Sequence, residues 1–368
     1  MQPNVAGMTD SDTTPEQVLD LERFTPAETA LYRWSPLGFW GTTLTVFAVS
    51  FGSFALIAEI TGRPHLGYVN AAGAWQLNTV SWIGFVLSMI LTTGVALTQI
   101  GRRRWETERA SLLAAMDPQG RAAANALCEG VPVSWRRSYW ALTIFGFIGG
   151  LIFNIIMTDA EAVTPLEYVQ SIGLWFLVFS PWLYAVGLRA GLSLAREGRE
   201  MRKLIDRHAV IDLYHLEKLD IFGRIGLAAA GSWLVMAGVL LLFIADPRQA
   251  WIAVPAIALA ALGGVVALTN AVRPIQRKVQ AAKATELVEV HRHMAQARER
   301  AFAGDDAAAS ALAGLTDYEV WVERRPEWPI STSVTMRFSL YILIPILPIL
   351  GSYLFEKFAD RILSGGVF

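Results

Sequence analysis

Seven blocks of this sequence run for about twenty residues almost without charge, and that pattern admits very few folds. A hydrocarbon layer of ~30 Å is crossed by ~20 helical residues rising ~1.5 Å each. The blocks are Leu37–Ala58, Val80–Ile100, Tyr139–Met157, Ser171–Gly191, Ile225–Ala245, Ala250–Ala271 and Phe338–Phe355. In lipid every backbone N–H and C=O must be satisfied within the segment, so blocks of this kind become helices. The sequence therefore specifies an all-α fold, a polytopic transmembrane helical bundle of about seven spans with helical cytoplasmic extensions. Charged residues are only 17% of the chain, where soluble domains carry about a quarter.

Basic residues set the orientation. The stretches Gly101–Ser138, Leu192–Arg224 and Val272–Arg337, together with the N-terminal tail, hold twenty-six Lys and Arg. The opposite side holds four: Arg63, Arg248, Lys357 and Arg361. N-terminus in and C-terminus out is the expected topology. Four regions follow. Residues 1–36 are cytoplasmic N-terminal helices, and 37–272 are six spans with two cytoplasmic loops. Residues 273–337 are a cytoplasmic helical segment, and 338–368 are the seventh span and a short tail. Short outer loops, Ala/Arg-rich connections and one cysteine fit a bacterial inner (cytoplasmic) membrane protein.

Helix starts are visible locally. Thr14-Pro15-Glu16-Gln17, Thr25-Pro26-Ala27-Glu28 and Thr164-Pro165-Leu166-Glu167 each read as a capping box with proline at the first helical position. Pro274 opens a helix to about Phe302, Gly304-Asp305-Asp306 ends it, and Ala307–Tyr318 begins another. Asp246–Gln249 is a tight turn between spans five and six.

Several function classes lose support. A net charge of −1 gives no basis for nucleic-acid binding. Cys128 is the single cysteine, and no Cys/His spacing suits zinc. No metal, cofactor or catalytic set is expected. His208, Asp212 and His215 share one face if Glu200–Leu219 is helical, but the two histidines would lie about 10 Å apart along the axis. His291 and His293 point in different directions. Glu59 and Arg189 lie near span ends, where both side chains can snorkel outward. Asn154 is the one amide well inside a span.

Three patterns remain as candidate sites. Ser81, Gly84, Ser88, Thr92 and Gln99 form a small, polar stripe along the second span, either a packing surface or a pore lining. Gly146, Gly149 and Gly150 in span three look like its matching surface, as does the Gly187/Gly191 pair. Pro181, Pro255, Pro345 and Pro348 interrupt spans and are candidate hinges. Leu287, Val290 and Met294 lie on an apolar stripe, with Ala297 and Ala301, that a partner protein can cover. The sequence thus points to a homo-oligomeric channel or passive transport protein embedded in a lipid bilayer. The alternative is a non-enzymatic scaffold or accessory subunit binding a cytoplasmic or membrane protein. A membrane enzyme acting on a lipid-linked substrate has only scattered histidines, such as His65, behind it.

Overall fold

Lipid as solvent requires unbroken helices, and the computed structural model has them. It describes residues 23–62, 67–69, 75–128, 131–160, 164–245, 250–328, 336 and 340. The helices are α1 (Ala27–Trp34), α2 (Gly38–Ile60), α3 (Thr79–Ala114), α4 (Pro118–Cys128), α5 (Arg136–Ala160), α6 (Pro165–Val169), α7 (Gly173–His208), α8 (Asp220–Leu241), α9 (Ala250–Phe302) and α10 (Asp306–Arg324). Six of them, α2, α3, α5, α7, α8 and α9, are long and apolar enough to cross a membrane. Their outer faces carry side chains such as Phe145, Ile155 and Leu44, which are 72%, 69% and 66% exposed. Water tolerates no apolar surface of this extent, whereas lipid does. The expected seventh span, with Pro345 and Pro348, falls outside the described residues apart from Leu340. The signature at Thr14–Gln17 and the turn at Asp246–Gln249 fall outside them as well.

Three helices overshoot the bilayer. At 36 residues each, α3 and α7 extend ~54 Å, and α9 with 53 residues extends ~80 Å. The stretches Gly101–Ser138 and Leu192–Arg224, expected as loops, are largely helical: α3 runs on to Ala114 with α4 after it, and α7 runs on to His208. Pro274 does not open a new helix either: it sits buried inside α9, flanked by buried Val272 and Ile275. The reason is compositional. Arg, Glu, Ala and Lys end a hydropathy window but are good helix formers, so the hydrogen-bond ladder runs on.

The overshooting ends build a second body with its own core. Leu112 on α3, Met116 just after it, Ile205 on α7, Phe222 on α8, Ile275 on α9 and Val322 on α10 are among its most buried residues. Antiparallel to α9 lies α10, joined by a turn with Gly304 at φ 92° and begun by Asp305, whose side chain accepts from the N–H groups of Ala307 and Ala308. Lys283 caps the far end of α10 by donating to the carbonyls of Glu323 and Arg325 at 2.9 and 3.0 Å.

Within the membrane region, glycines choose the partners. A Cβ on Gly146 would stand 2.6 Å from Ala185 Cα, and one on Gly150 would stand 2.5 Å from Pro181 Cα. Span three therefore packs on span four, which corrects the expected match with the stripe of span two. Gly149 faces open space. Gly84 is filled by the ring of Phe54 from α2. On the α8–α9 hairpin, Gly263 receives the Trp233 indole and Gly226 meets Ala271. Asn154 ties three segments: its amide donates to the carbonyls of Gly150 and Phe176 and accepts from the Tyr168 hydroxyl.

Thr164 and Glu167 form the expected capping box on α6. The one at Thr25–Glu28 does not form, since Pro26 is the N-cap and Glu28 is engaged elsewhere. Two minimal antiparallel pairs complete the described fold: β1 (Arg23–Phe24) with β4 (Val131–Pro132), and β2 (Gly67–Val69) with β3 (Trp75–Leu77).

The glycine contacts predict a contrast between neighbouring substitutions. Gly150→Ala drives a methyl into backbone and costs about 1–3 kcal/mol. Gly149→Ala meets nothing and gains about 0.5–1 kcal/mol from helix propensity. Thermal unfolding of the two variants in one detergent should separate them in opposite directions from the wild type.

Candidate functional site

Helix α7 repeats a cation every seven residues, at Arg189, Arg196 and Lys203. Seven residues are nearly two turns, so the three lie on one face about 10 Å apart. That face runs from buried Arg189 through half-buried Arg196 to Lys203, whose side chain is 61% exposed.

At the membrane end of the row, Arg189 is 7% exposed and ion-paired to Glu28 of α1. It donates to Thr143 Oγ1 at 2.9 Å and lies over the Tyr139 ring at 4.6 Å. The Tyr139 hydroxyl donates to the second Glu28 oxygen at 3.1 Å and accepts from the Ala27 N–H at 3.2 Å. This overturns the expectation that Arg189 snorkels outward. A guanidinium stays buried when a carboxylate and further acceptors meet it, and here the tail helix delivers the carboxylate. One donor is left over: Arg189 Nε is buried and has no acceptor among the described residues.

A cavity of about 690 Å³ runs along this face between α3, α7 and α8, with α1 and α4 closing its basic end. At membrane level its walls are Ile90, Leu91, Gly94, Val186, Met236 and Leu240. Beyond Arg189 they include Arg102, Trp105, Trp135, Arg196, Lys203 and Arg207. Five cations and three carboxylates (Glu28, Glu197, Glu200) line it in all. Arg196 stacks on Trp135 at 4.1 Å, Lys203 pairs with Glu200 at 2.9 Å, and Arg102 with Glu106 at 3.3 Å. Cys128 is also part of the lining.

No family model matches this chain, and neither does any curated protein or solved structure. The site is therefore read from its own chemistry.

The stripe Ser81, Gly84, Ser88, Thr92 and Gln99 is not part of the cavity lining. Ser81, Gly84, Ser88 and Thr92 are buried, and the hydroxyls of Ser88 and Thr92 return to the carbonyls of Gly84 and Ser88 at 2.8 and 2.7 Å. Gln99 is half-buried, with its Oε1 lacking a partner among the described residues. The adjacent face of the same helix, with Gly94, Leu97, Thr98 and Gly101, lines the cavity instead. Gly187 and Gly191 were expected to pack against a neighbouring helix. They are cavity wall: a Cβ on Gly187 meets nothing within 4 Å, and one on Gly191 comes 3.6 Å from Trp233. Among the candidate hinges, Pro181 is buried against Gly150 and Pro255 is exposed on α9. Leu287, Val290 and Met294 lie on the part of α9 where α10 folds back, and Val290 is 4% exposed.

The histidines separate. Helix α7 ends at His208, because Ala209 turns extended and bridges Met116, so His208, Asp212 and His215 do not share a helical face. His208 Nδ1 sits 3.2 Å from Asp117, and His215 Nδ1 sits 2.7 Å from Asp212. Asp212 also accepts from the Tyr214 N–H, closing a turn. His291 meets Glu319 at 2.5 Å and His293 meets Glu289 at 2.9 Å. Among the described residues no group of three His, Cys, Asp or Glu side chains is placed to hold a metal ion.

Asp117 locks the cavity's basic end. Its side chain accepts from the Gly120 N–H at 2.5 Å, its own N–H donates to His208 O at 3.0 Å, and a Cβ on Gly120 would press 2.4 Å from His208 Cβ. The Gly120 N–H, then His208 and the nearby Lys278, hold the Asp117 carboxyl below the usual carboxylate range.

Two predictions follow from this geometry. Arg189→Met leaves Glu28 buried without its counter-ion and costs about 3–5 kcal/mol, whereas the double change Glu28→Leu with Arg189→Met recovers most of it; denaturant unfolding of the three proteins measures the difference. For Asp117 the folded-state value is depressed, so its contribution is present above about pH 4 and fades as pH falls further. Asp117→Asn should flatten the acid limb of the stability curve, read by thermal unfolding at stepped pH.

Proposed function

We propose that this protein is an integral membrane protein of the passive-transport class, with its path inside a single chain between α3, α7 and α8. The observation that carries this reading is the cavity, which joins an apolar stretch at membrane level to a cationic mouth. Its volume falls within the ~300–1,000 Å³ of ligand sites. A path within the chain needs no ring of subunits and no polar stripe facing a central axis. The basic excess on one side supports an N-in, C-out topology with Phe338–Phe355 as the seventh span, and the composition supports a bacterial inner membrane. The scaffold reading drew on Leu287, Val290 and Met294, and α10 occupies that face.

The test is reconstitution into liposomes with two readouts, release of entrapped carboxyfluorescein and transbilayer movement of a fluorescent alkyl-chain lipid. At least one is expected to run faster than in protein-free liposomes. Gly187→Trp, which fills open cavity space without touching backbone, should bring it back to the protein-free rate with an unchanged melting temperature. If neither readout exceeds the protein-free rate, the transport reading falls.

A further inference from the structure

Resting on the reading of this cavity as the working site, its shape and charge narrow the ligand. The lining follows α7 from Leu183 to His208, which is roughly 38 Å of helix. Spread over that length, 690 Å³ makes the cavity much longer than it is wide. An elongated cavity suits one extended chain. Its two ends differ in kind. Ile90, Gly94, Val186 and Met236 offer no hydrogen bond from their side chains, while Arg189 and Arg196 begin the cationic row two helical turns apart.

The charge at that end is not fully answered from within. Arg102 and Lys203 have carboxylate partners on their own helices, and Glu28 answers Arg189. That leaves Arg196 and Arg207 against Glu197 along the lining, together with the buried Arg189 Nε donor, which has no acceptor among the described residues. Buried donors are almost always satisfied, so an orphan on a guanidinium of the cavity wall marks a cation whose hydrogen bonding is incomplete. Arginine in a partly desolvated wall favours a phosphate or carboxylate over a neutral polar group. Trp105 and Trp135 flank the same level, as interfacial tryptophans do around headgroups.

We infer that the cavity binds an anionic amphiphile, threading one alkyl chain between α3, α7 and α8 and holding an acidic headgroup at Arg189 and Arg196. The headgroup then lies at the basic membrane surface and the chain points toward the bilayer centre, as in a lipid of that leaflet. Arg207, three turns beyond Arg196 on the same face, draws the headgroup toward the mouth.

The experiment uses the full chain in phosphatidylcholine nanodiscs and measures retention of radiolabelled dodecyl phosphate above that of empty discs. The expected result is saturable retention near one per chain, displaced by unlabelled dodecyl phosphate and not by dodecyl maltoside or inorganic phosphate. Arg196→Gln with Arg207→Gln should weaken it by about tenfold or more. Gly187→Trp should abolish it, and Arg137→Gln, an exposed residue away from the lining, should leave it unchanged. Melting temperatures identify any variant that fails to fold, and Gly187→Trp tests the cavity without removing a charge. Competition by phosphatidylglycerol in the disc assigns the ligand to a bilayer lipid, and its absence assigns a free amphiphile; both support the inference. Absent saturable retention, equal displacement by dodecyl maltoside, or full retention in the double arginine variant overturns it. Retention without flux removes the transport reading alone. Flux that Gly187→Trp blocks, without retention, removes the anionic ligand alone.

Discussion

An α-helix in lipid cannot stop without leaving carbonyls and amides bare, so where each ladder of hydrogen bonds ends determines what the rest of the chain can build. In this protein α3, α7 and α9 carry their ladders past the hydrocarbon boundary; α3 and α7 end among other protein, and α9 ends in the exposed turn to α10. The ends of α3 and α7 meet each other where Ala209 bridges Met116 beside Asp117. The body they form is thus continuous with the membrane bundle, sharing helices with it and not joined by linkers. Any rotation of α7 in the bilayer is also a rotation of Met201, Leu204 and Ile205 in the second core.

The Glu28–Arg189 pair has a different part. It fixes a short helix that no long apolar face would hold, since α1 has only eight residues. Tyr139 and Thr143 complete the shell, so α1, α5 and α7 meet at one charge. A buried ion pair contributes little to net stability compared with an apolar replacement, but it punishes every arrangement that leaves one member alone. It specifies where the tail sits. One donor of that guanidinium, the buried Nε, has no acceptor among the described residues.

The sequence made six of the spans legible, because twenty uncharged residues satisfy a length requirement that no neighbour can alter. The extensions were not legible in the same way. At Arg102–Arg104 the hydropathy signal ends while the propensity for helix does not, and a single scale cannot report both. Arg189 was misplaced for another reason: its partner is 161 residues earlier, and a rule about long side chains reaching outward contains no term for a partner supplied by the tail. The seven-residue recurrence of Arg189, Arg196 and Lys203 was available and would have pointed to the face. Small residues told which positions are crowded but not by what. Gly84, Ser88 and Thr92 are buried as their period implies, yet Gly84 turned out to receive Phe54, while Gly187 borders a void. Periodicity ranks faces, and only tertiary structure pairs them.

The continuity of α9 has a mechanical consequence. A rod of ~80 Å anchored in the bilayer over its first ~30 Å leaves some 50 Å beyond the surface. Tilting is one way in which such a rod accommodates hydrophobic mismatch when the bilayer thins or thickens. With this geometry a tilt of about 5° sweeps the tip near Phe302 sideways by roughly 4 Å. Any change of tilt is thereby converted, through leverage alone, into displacement at a point far outside the lipid.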